Sequence, residues 1–543
     1  MAELAGVALY SRFMRGLESA SRDNSGRAGA ALRVGGTEVT YPDAHQTALS
    51  WAHRLVDAGA GPEHPVAVLA ARSVTAYLGL LAGLYAGAPV VPLNPAFPVG
   101  RTAEMLRAAG AELVVADPDG AAIVPELAEL VGRLAVLAPS ADAADRASAG
   151  GRWLPVAGAP LAEPVPVNGD TPALMLFTSG STGRPKGVPI SHASLYHYFT
   201  VLDQRYDFHP GDVFSQTFDL NFDCAMFDLF CAWGAGATVL SVPPSAYLGL
   251  PGFLADHGVT VWFSTPSSIG LARRMGALTS SAMPGLRWSF FAGEALRCDD
   301  VERWSAAAVN STVENLYGPT ELTITISGYQ WCPTRTPEVA INGVVPIGEV
   351  HPGHDYLIVG EDGDADPVVA APGELGELWL SGPQLTTGYL DPADDAGRFV
   401  EYAGRRWYRT GDRVSRIGAA GLAYRGRLDS QVQVHGWRVE LAEIEHALRG
   451  CSGVTEAVAV GVANQDGTEL IAFYTGDRVG PAELTRRLRE LLPAGFIPRR
   501  FQHVAELPLN SNRKVDRSLL RSRAEELLGS ATRNDGRPGP TPR

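Results

Sequence analysis

Cysteine is scarce and poorly placed for a metal or disulfide framework: the five, at positions 224, 231, 298, 332 and 451, are odd in number and include no C-x-x-C pair. That usage fits a reducing cytoplasm. Positive charge is also in short supply. With 45 Lys and Arg against 59 Asp and Glu, the formal charge is -14, which argues against nucleic acid or an anionic membrane surface as a partner. The opening MAELAGVALYSRF carries Glu3 early and lacks the basic flank and long apolar core of an export signal. One uncharged stretch, between Arg72 and Arg101, invites a membrane reading. Gly83, Gly87, Pro89, Pro92, Asn94, Pro95 and Pro98 interrupt it, so it reads as a buried helix, a turn and a strand. No internal repeat of fixed period occurs.

What is present is length and apolar content: 543 residues, 45% of them hydrophobic, suffice for more than one buried core. From about Thr40 to Pro164, helical patterns alternate with the Val-rich runs PVAVLA, PVVPL and ELVVA, as in successive βα units. Ser140 to Gly169, rich in Ala, Pro, Gly and Asp, reads as a surface connection. TPALMLFTSG, GATVLSV, GVTVWFS and GLRWSFFAG follow, each an apolar strand entering small residues, where open α/β sheets bind ligands. Texture changes from Gly373 to Arg427 to short, turn-rich β elements. Beyond Asp429, QVQVHG leads into a helix with Leu441, Ile444 and Leu448 on one face. A second helix places Leu484, Leu488, Leu491 and Leu492 together, with Pro481 near its start. The strands EAVAVGVA and ELIAFYTG complete a separate unit. The expected organisation is a large α/β N-terminal domain of sheets and helices (1–428), a small α+β domain (429–529) and a disordered tail (530–543).

Three motifs carry chemistry. TSGSTGRPKG, Thr178–Gly187, follows the strand ALMLF. Gly180, Gly183 and Gly187 keep side chains out of a turn whose N–H groups can surround phosphate oxygens. Thr178, Ser179, Ser181 and Thr182 add donors, and Lys186 supplies a point charge. It is not the GxxxxGK[ST] loop, because Gly187 follows Lys186. In NLYGPTE, Tyr317 can pack against a base, Thr320 can bond an α-phosphate or acyl phosphate, and Glu321 can ligate Mg²⁺ together with phosphate oxygens. In YRTGD and YRGRLD, Asp412 suits ribose hydroxyls and Arg427 is a donor near the same nucleotide. LPLNSNRKVDR places Lys514 in a polar turn.

From Thr40 to Arg517 these strings, with AGAPVVPLNP, FDLNFD, FAGEAL, VVPIGE, GELWLSG and GRLDSQVQVHGWRVELAEIE, resemble the adenylate-forming superfamily of acyl-CoA synthetases, luciferases and nonribosomal peptide synthetase adenylation domains. The resemblance implies ATP and Mg²⁺ as cofactors, with Asp412 on the ribose, Glu321 placing the metal, and Gly293, Glu294, Ala295, Asn315 and Tyr317 around adenine. It implies that Lys514 bridges the substrate carboxylate and the phosphate during adenylation. Asp429 takes the place of the hinge of a mobile small domain, and Gly436 the place where a carrier's pantetheine passes. Gln433 and His435 stand where members often have Lys and Arg, and Arg513 replaces a usual Gly, which leaves adenylation residues intact but puts carrier docking in question.

By alignment of the following helix, Asp223 corresponds to the aspartate that pairs with a substrate α-ammonium, which needs such a partner in a closed pocket. The competing reading makes Asp219 or Asp223 a structural helix-start residue. Cys224, Phe227, Ser267, Phe290, Ala292, Leu316, Ile324 and Thr325 would complete a mostly apolar wall suited to a neutral amino acid. The segment after Lys514 holds no LGGxS-like motif, so the expectation is a free-standing enzyme that loads a separate phosphopantetheinylated peptidyl carrier protein. The alternative is an acyl-CoA or aryl-acid ligase, for which Asp223 would lack a partner. A non-catalytic nucleotide sensor would not need Lys186, Glu321 and Lys514 together.

Overall fold

The computed structural model describes residues 7–21, 29–140, 152–156, 158–179, 184–360, 373–428, 431–464, 467–508 and 515–534. The chain forms two compact units, Met1–Thr178 with Pro185–Asp429, and Ser179–Arg184 with Ser430–Arg543.

The larger unit contains a nine-stranded and a seven-stranded sheet, each mainly parallel, and a five-stranded antiparallel sheet. The seven-stranded sheet centres on Val66–Leu69, Val90–Leu93 and Leu113–Ala116, every residue of which is buried. Unbroken apolar runs of this kind belong to strands covered on both faces. The uncharged stretch after Arg72 becomes the buried helix Val74–Tyr85, capped by Ser73 through a bond from the Ala76 N–H. Arg152–Trp153 pairs with Ala135–Leu137 as an edge strand, so the expected surface connection is not wholly irregular: backbone pairing recruits a segment whose composition carries no strand signal.

The nine-stranded sheet positions the site. Val213–Gln216, Val261–Ser264, Trp288–Phe291 and Thr312–Tyr317 are consecutive parallel neighbours. Ser264 lies beside Phe291, and Phe291 beside Asn315. The segments leaving these strands, Thr265–Ser267, Ala292–Glu294 and Gly318–Glu321, therefore emerge at one sheet edge, the carboxyl edge at which such sheets bind ligands. Beyond Gln216 the chain runs through Asp223 into the helix Cys224–Ala235. The antiparallel sheet contributes Arg405–Arg416 and Leu422–Arg427, with Asp412 opposite Arg427.

The smaller unit packs helix Leu441–Arg449 and helix Pro481–Arg489 through Leu441, Ile444, Leu448, Leu484 and Leu488 against Ala457, Ala459, Leu470 and Ala472. Leu491, expected on this face, is exposed instead. The helix ends at Arg489, and the turn before Pro493 swings Leu492 inward and Leu491 out. The last helix, Arg517–Asn534, seats Leu520 and Ala524 against Val458, Val460 and Ile471. It runs past residue 530, where sequence composition predicts a disordered tail, because each added helical residue gains a backbone bond once the helix is anchored.

Candidate active site

The phosphate-loop motif bridges a hairpin: strand Pro172–Thr178 pairs antiparallel with Lys186–Ser191, Thr178 opposite Lys186. Gly180, Ser181, Thr182 and Gly183 lie outside the described residues. Ser179 is buried, and its hydroxyl donates to the Arg438 carbonyl at 2.6 Å within the smaller unit. Gly187 is required by contact as well as by the loop. A Cβ there would stand 2.4 Å from Leu390 Cδ1, while the Leu390 N–H donates to the Gly187 carbonyl at 2.8 Å.

Lys186 has neighbours the sequence does not announce. Its Nζ lies 3.5 Å from Asp394 Oδ1 and 5.2 Å from the centre of the Tyr389 ring. The Tyr389 hydroxyl donates to Glu321 Oε1 at 2.6 Å. Glu321 is fully buried in the short 3-10 turn Thr320–Leu322 that follows strand Thr312–Tyr317. Loop lysine, tyrosine and turn glutamate thus form one chain of contacts, two segments of which meet only through the fold.

The nucleotide motifs converge through Asp412. Its Oδ2 accepts from the Tyr317 hydroxyl at 2.5 Å and its Oδ1 from Arg427 Nη1 at 2.8 Å. Burial, then the Asp412 charge, raises the Tyr317 hydroxyl well above its ordinary range, so Tyr317 is a fixed donor. Asn315 spends its amide on the carbonyls of Val345 and Pro346, at 3.2 and 2.9 Å. It anchors the strand to the neighbouring loop rather than pointing an amide donor outward. Glu294 accepts from the Ser267 N–H at 2.8 Å. Gly293 takes a φ of 86°, a conformation natural to glycine, and both Gly293 and Ala295 are exposed.

On the substrate side, Asp223 and Asp219 separate clearly. Asp219 is held by Arg72 Nε at 3.3 Å and by the Asn94 amide at 3.0 Å. Asp223 precedes the first turn of helix Cys224–Ala235 but makes no side-chain cap bond. Its charged form is favoured instead by the nearby Thr320 hydroxyl and by the Cys224 backbone N–H and thiol. Burial pushes it up to about 6, against the pull of those donors, and nearby Glu321 adds to the rise. Thr320 therefore joins the aspartate to the turn that carries Glu321. Phe227, Phe290, Ala292, Leu316, Ile324 and Thr325 are buried behind this group, while Cys224 and Ser267 remain partly exposed.

Lys514 and Asp429 lie outside the described residues. Gly436, in the smaller unit, occupies the two-residue turn joining strands Gln431–Val434 and Trp437–Glu440. His435 and Gly436 have φ of 49° and 83°, the pair of positive values that such tight hairpins use. Tyr389 and Asp394 are the neighbours that motif reading misses. They sit in GYLDPADD, outside the motifs, and no spacing links them to Lys186.

Thr320 and Glu321 leave the carboxyl edge of a parallel sheet, Lys186 opens a strand of the hairpin and Asp412 lies on the antiparallel sheet, an arrangement that fits a ligase activating a carboxylate as its acyl-adenylate. The chain belongs to the AMP-binding enzyme family. The AMP-binding enzyme model matches residues 20–390 and the AMP-binding enzyme C-terminal domain model matches 443–514. It is 32% identical to the L-proline--[L-prolyl-carrier protein] ligase of Streptomyces coelicolor, over 89% of this chain and 92% of that protein. It spans only 6% of the length of the Salinispora arenicola protein CymA, at 34% identity over 90% of this chain. Among solved structures, IdnL7 is 52% identical with a TM-score of 0.72, covering 96% of this chain and 99% of that one. The Vibrio cholerae adenylation domain AlmE, in complex with glycyl-adenosine-5'-phosphate, is 28% identical with a TM-score of 0.84, covering 95% and 98%.

Enzymes of this family use ATP and Mg²⁺. Among the described residues no group of three or more His, Cys, Asp or Glu is placed to hold a metal ion. One buried carboxylate, Glu321, beside Lys186 and Thr320 fits the usual Mg²⁺ arrangement of one or two carboxylates completed by substrate phosphates. Among the described residues no helix is long and apolar enough to cross a membrane.

Proposed function

We propose that the chain activates a neutral α-amino acid as its aminoacyl-adenylate, releasing pyrophosphate, and passes the aminoacyl group to the phosphopantetheine thiol of a separate carrier protein. The observation that carries the amino-acid assignment is Asp223: a buried carboxyl that no cation among the described residues pairs with, beside the threonine and glutamate of the proposed phosphate site. An incoming ammonium supplies the missing cation, and pairing offsets the cost of burying either charge alone. The carrier assignment draws support from the L-proline--[L-prolyl-carrier protein] ligase, a relative of nearly matching length.

In the first half-reaction the substrate carboxylate attacks the α-phosphorus of ATP, and the bond to the bridging oxygen of pyrophosphate breaks. The nucleophile is already ionised, so no general base is required. Lys186 neutralises the polyphosphate, Thr320 donates near the α-phosphate, and Lys514 balances charge between carboxylate and phosphate as it builds. Glu321 would hold Mg²⁺, which would supply further charge neutralisation to the polyphosphate. Asp412 and Arg427 hold the ribose side, and Gly293, Glu294, Ala295 and Tyr317 border the base. In the second half-reaction the carrier thiolate attacks the acyl carbonyl and AMP leaves, with the smaller unit turning about Asp429 and Gly436 admitting the pantetheine.

Pyrophosphate exchange into ATP, run with proteinogenic and common non-proteinogenic amino acids beside fatty and aryl acids, tests the first step. Exchange supported only by acids without an amine overturns the proposal in favour of an acyl or aryl ligase. Acylation of coenzyme A in place of a holo-carrier protein overturns the second step.

A further inference from the structure

The side chains around Asp223 fall into two groups by accessibility. Cys224, Thr265, Ser267 and Thr320 keep partly exposed surface. Phe227 and Phe290 are 0% exposed, Ile324 and Thr325 1%, and Leu316 and Ala292 2%. The sealed group is closed by packing within the larger unit. The Phe227 ring meets Phe263 edge-on at 4.8 Å and Phe290 at 5.1 Å. Phe290 in turn meets Tyr206 at 5.0 Å and stacks on Trp288 at 5.6 Å. The Thr325 hydroxyl is paired with the buried Tyr198 hydroxyl at 3.0 Å. Leu316 fills the space that Gly328 on the paired strand leaves, where an added Cβ would stand 2.9 Å from Leu316 Cδ2.

The backbone is committed to this arrangement. Thr323 and Ile324 have φ of 57° and 70°, and a β-branched residue there persists only when its surroundings fix it. Close-packed interiors resist added volume, since rings must leave their rotamers to admit it. A side chain leaving Cα beside Asp223 therefore meets open surface as far as Cys224 and Ser267 and a filled interior beyond.

We propose that the site selects amino acids with the shortest side chains, glycine and alanine with serine at the limit, and excludes long aliphatic and aromatic ones. This rests on the reading that Asp223 pairs with the α-ammonium, which anchors Cα at the accessible end. Discrimination follows from overpacking rather than from a repelling charge.

The test is pyrophosphate exchange by the full chain with glycine, alanine, serine, 2-aminobutyrate, valine, leucine and phenylalanine, with octanoate and benzoate alongside. One methylene changes selectivity about 10- to 200-fold, so kcat/KM for glycine or alanine should exceed that for leucine and phenylalanine by about 10² or more, with 2-aminobutyrate between. Leucine or phenylalanine equal to or better than alanine overturns the size limit and leaves the amino-acid reading standing. Activity with octanoate or benzoate and none with any amino acid overturns that underlying reading, and the size limit with it. Leu316→Ala, or Phe227→Leu should the first not fold, opens the sealed end. The leucine-to-alanine ratio should then rise about 10-fold or more, and an unchanged ratio in a folded variant overturns the sealed-wall argument.

Discussion

Replacing Asp223 with Asn keeps the shape of the side chain and removes only its charge. Burial has moved this carboxyl from the ordinary aspartate range to about 6, a displacement worth about 3 kcal/mol in favour of the neutral form. The sign follows from linkage. A folded-state value above the unfolded one means that the group's stabilising contribution is complete below about pH 4 and is lost as pH rises through about 6. At pH 8 the free wild-type enzyme therefore carries the cost of an ionised buried carboxylate, and Asp223→Asn does not. The variant should unfold later than wild type at pH 8, and the difference should shrink as pH falls through about 6 and vanish below about pH 4. Activity should move the opposite way. The variant has no charge to pair with an ammonium, and breaking such a pair costs about 3 to 5 kcal/mol, so kcat/KM for the amino acid should fall by about 10² to 10³, with KM for ATP little changed. Wild-type kcat/KM, which reports the free enzyme, should decline below about pH 6, a limb the variant lacks. Thermal melts across pH and pyrophosphate exchange measure both halves. A variant no more stable at pH 8 with an unchanged kcat/KM would rule out both the burial cost and the ammonium pairing at Asp223.

Tyr389→Phe removes the donor to the buried Glu321. A bond to a charged group is worth about 1.5 to 3 kcal/mol, so kcat/KM for ATP should fall about 10- to 100-fold and the Mg²⁺ requirement should rise; an unchanged Mg²⁺ titration would separate Tyr389 from the metal site. Asp412→Ala, which removes an acceptor shared by Arg427 and Tyr317, should raise KM for ATP more than KM for the amino acid, as steady-state kinetics with each substrate varied would reveal. Lys514→Ala should slow adenylation by about 10² or more yet still transfer a preformed aminoacyl-adenylate to the carrier. A bulky residue at Gly436 should do the reverse, and single-turnover assays of both half-reactions, with a melt to verify the strained turn, would show equal losses in both steps if domain alternation is wrong.

Much of the larger unit is legible because its strands are short apolar runs entering small residues. PVAVLA, ELVVA, GVTVWFS and GLRWSFFAG all become strands of parallel sheets. Helix ends are less readable, as Leu491 illustrates: periodicity continues into LLP, but the chain turns before Pro493. Helix Ser11–Ser21 and the hairpin Ala30–Val34 with Thr37–Thr40 lie ahead of the segment in which helices and strands visibly alternate, and neither is read from the sequence. At the site, motif order brings Tyr317, Asp412 and Arg427 into one reading, yet it cannot reveal that Tyr317 is the donor holding Asp412. Lys186 is conspicuous as a loop cation, but Tyr389 and Asp394 reach it only through the tertiary fold. The choice between Asp219 and Asp223 turns on a gapless alignment in sequence. In space it turns on partners, because Arg72 and Asn94 take Asp219 while Thr320 takes Asp223.

On the proposed function, a buried aspartate reads the ammonium of an amino acid as its carboxylate is adenylated. The most direct measurement compares pyrophosphate exchange for the best amino acid with exchange for the same acid lacking the amine, in wild type and in Asp223→Ala. Wild type should prefer the amino acid by about 10² or more, and Asp223→Ala should lose most of this preference by losing the amino-acid rate. Equal exchange with both acids in wild type, or a preference that survives intact in Asp223→Ala, would contradict it.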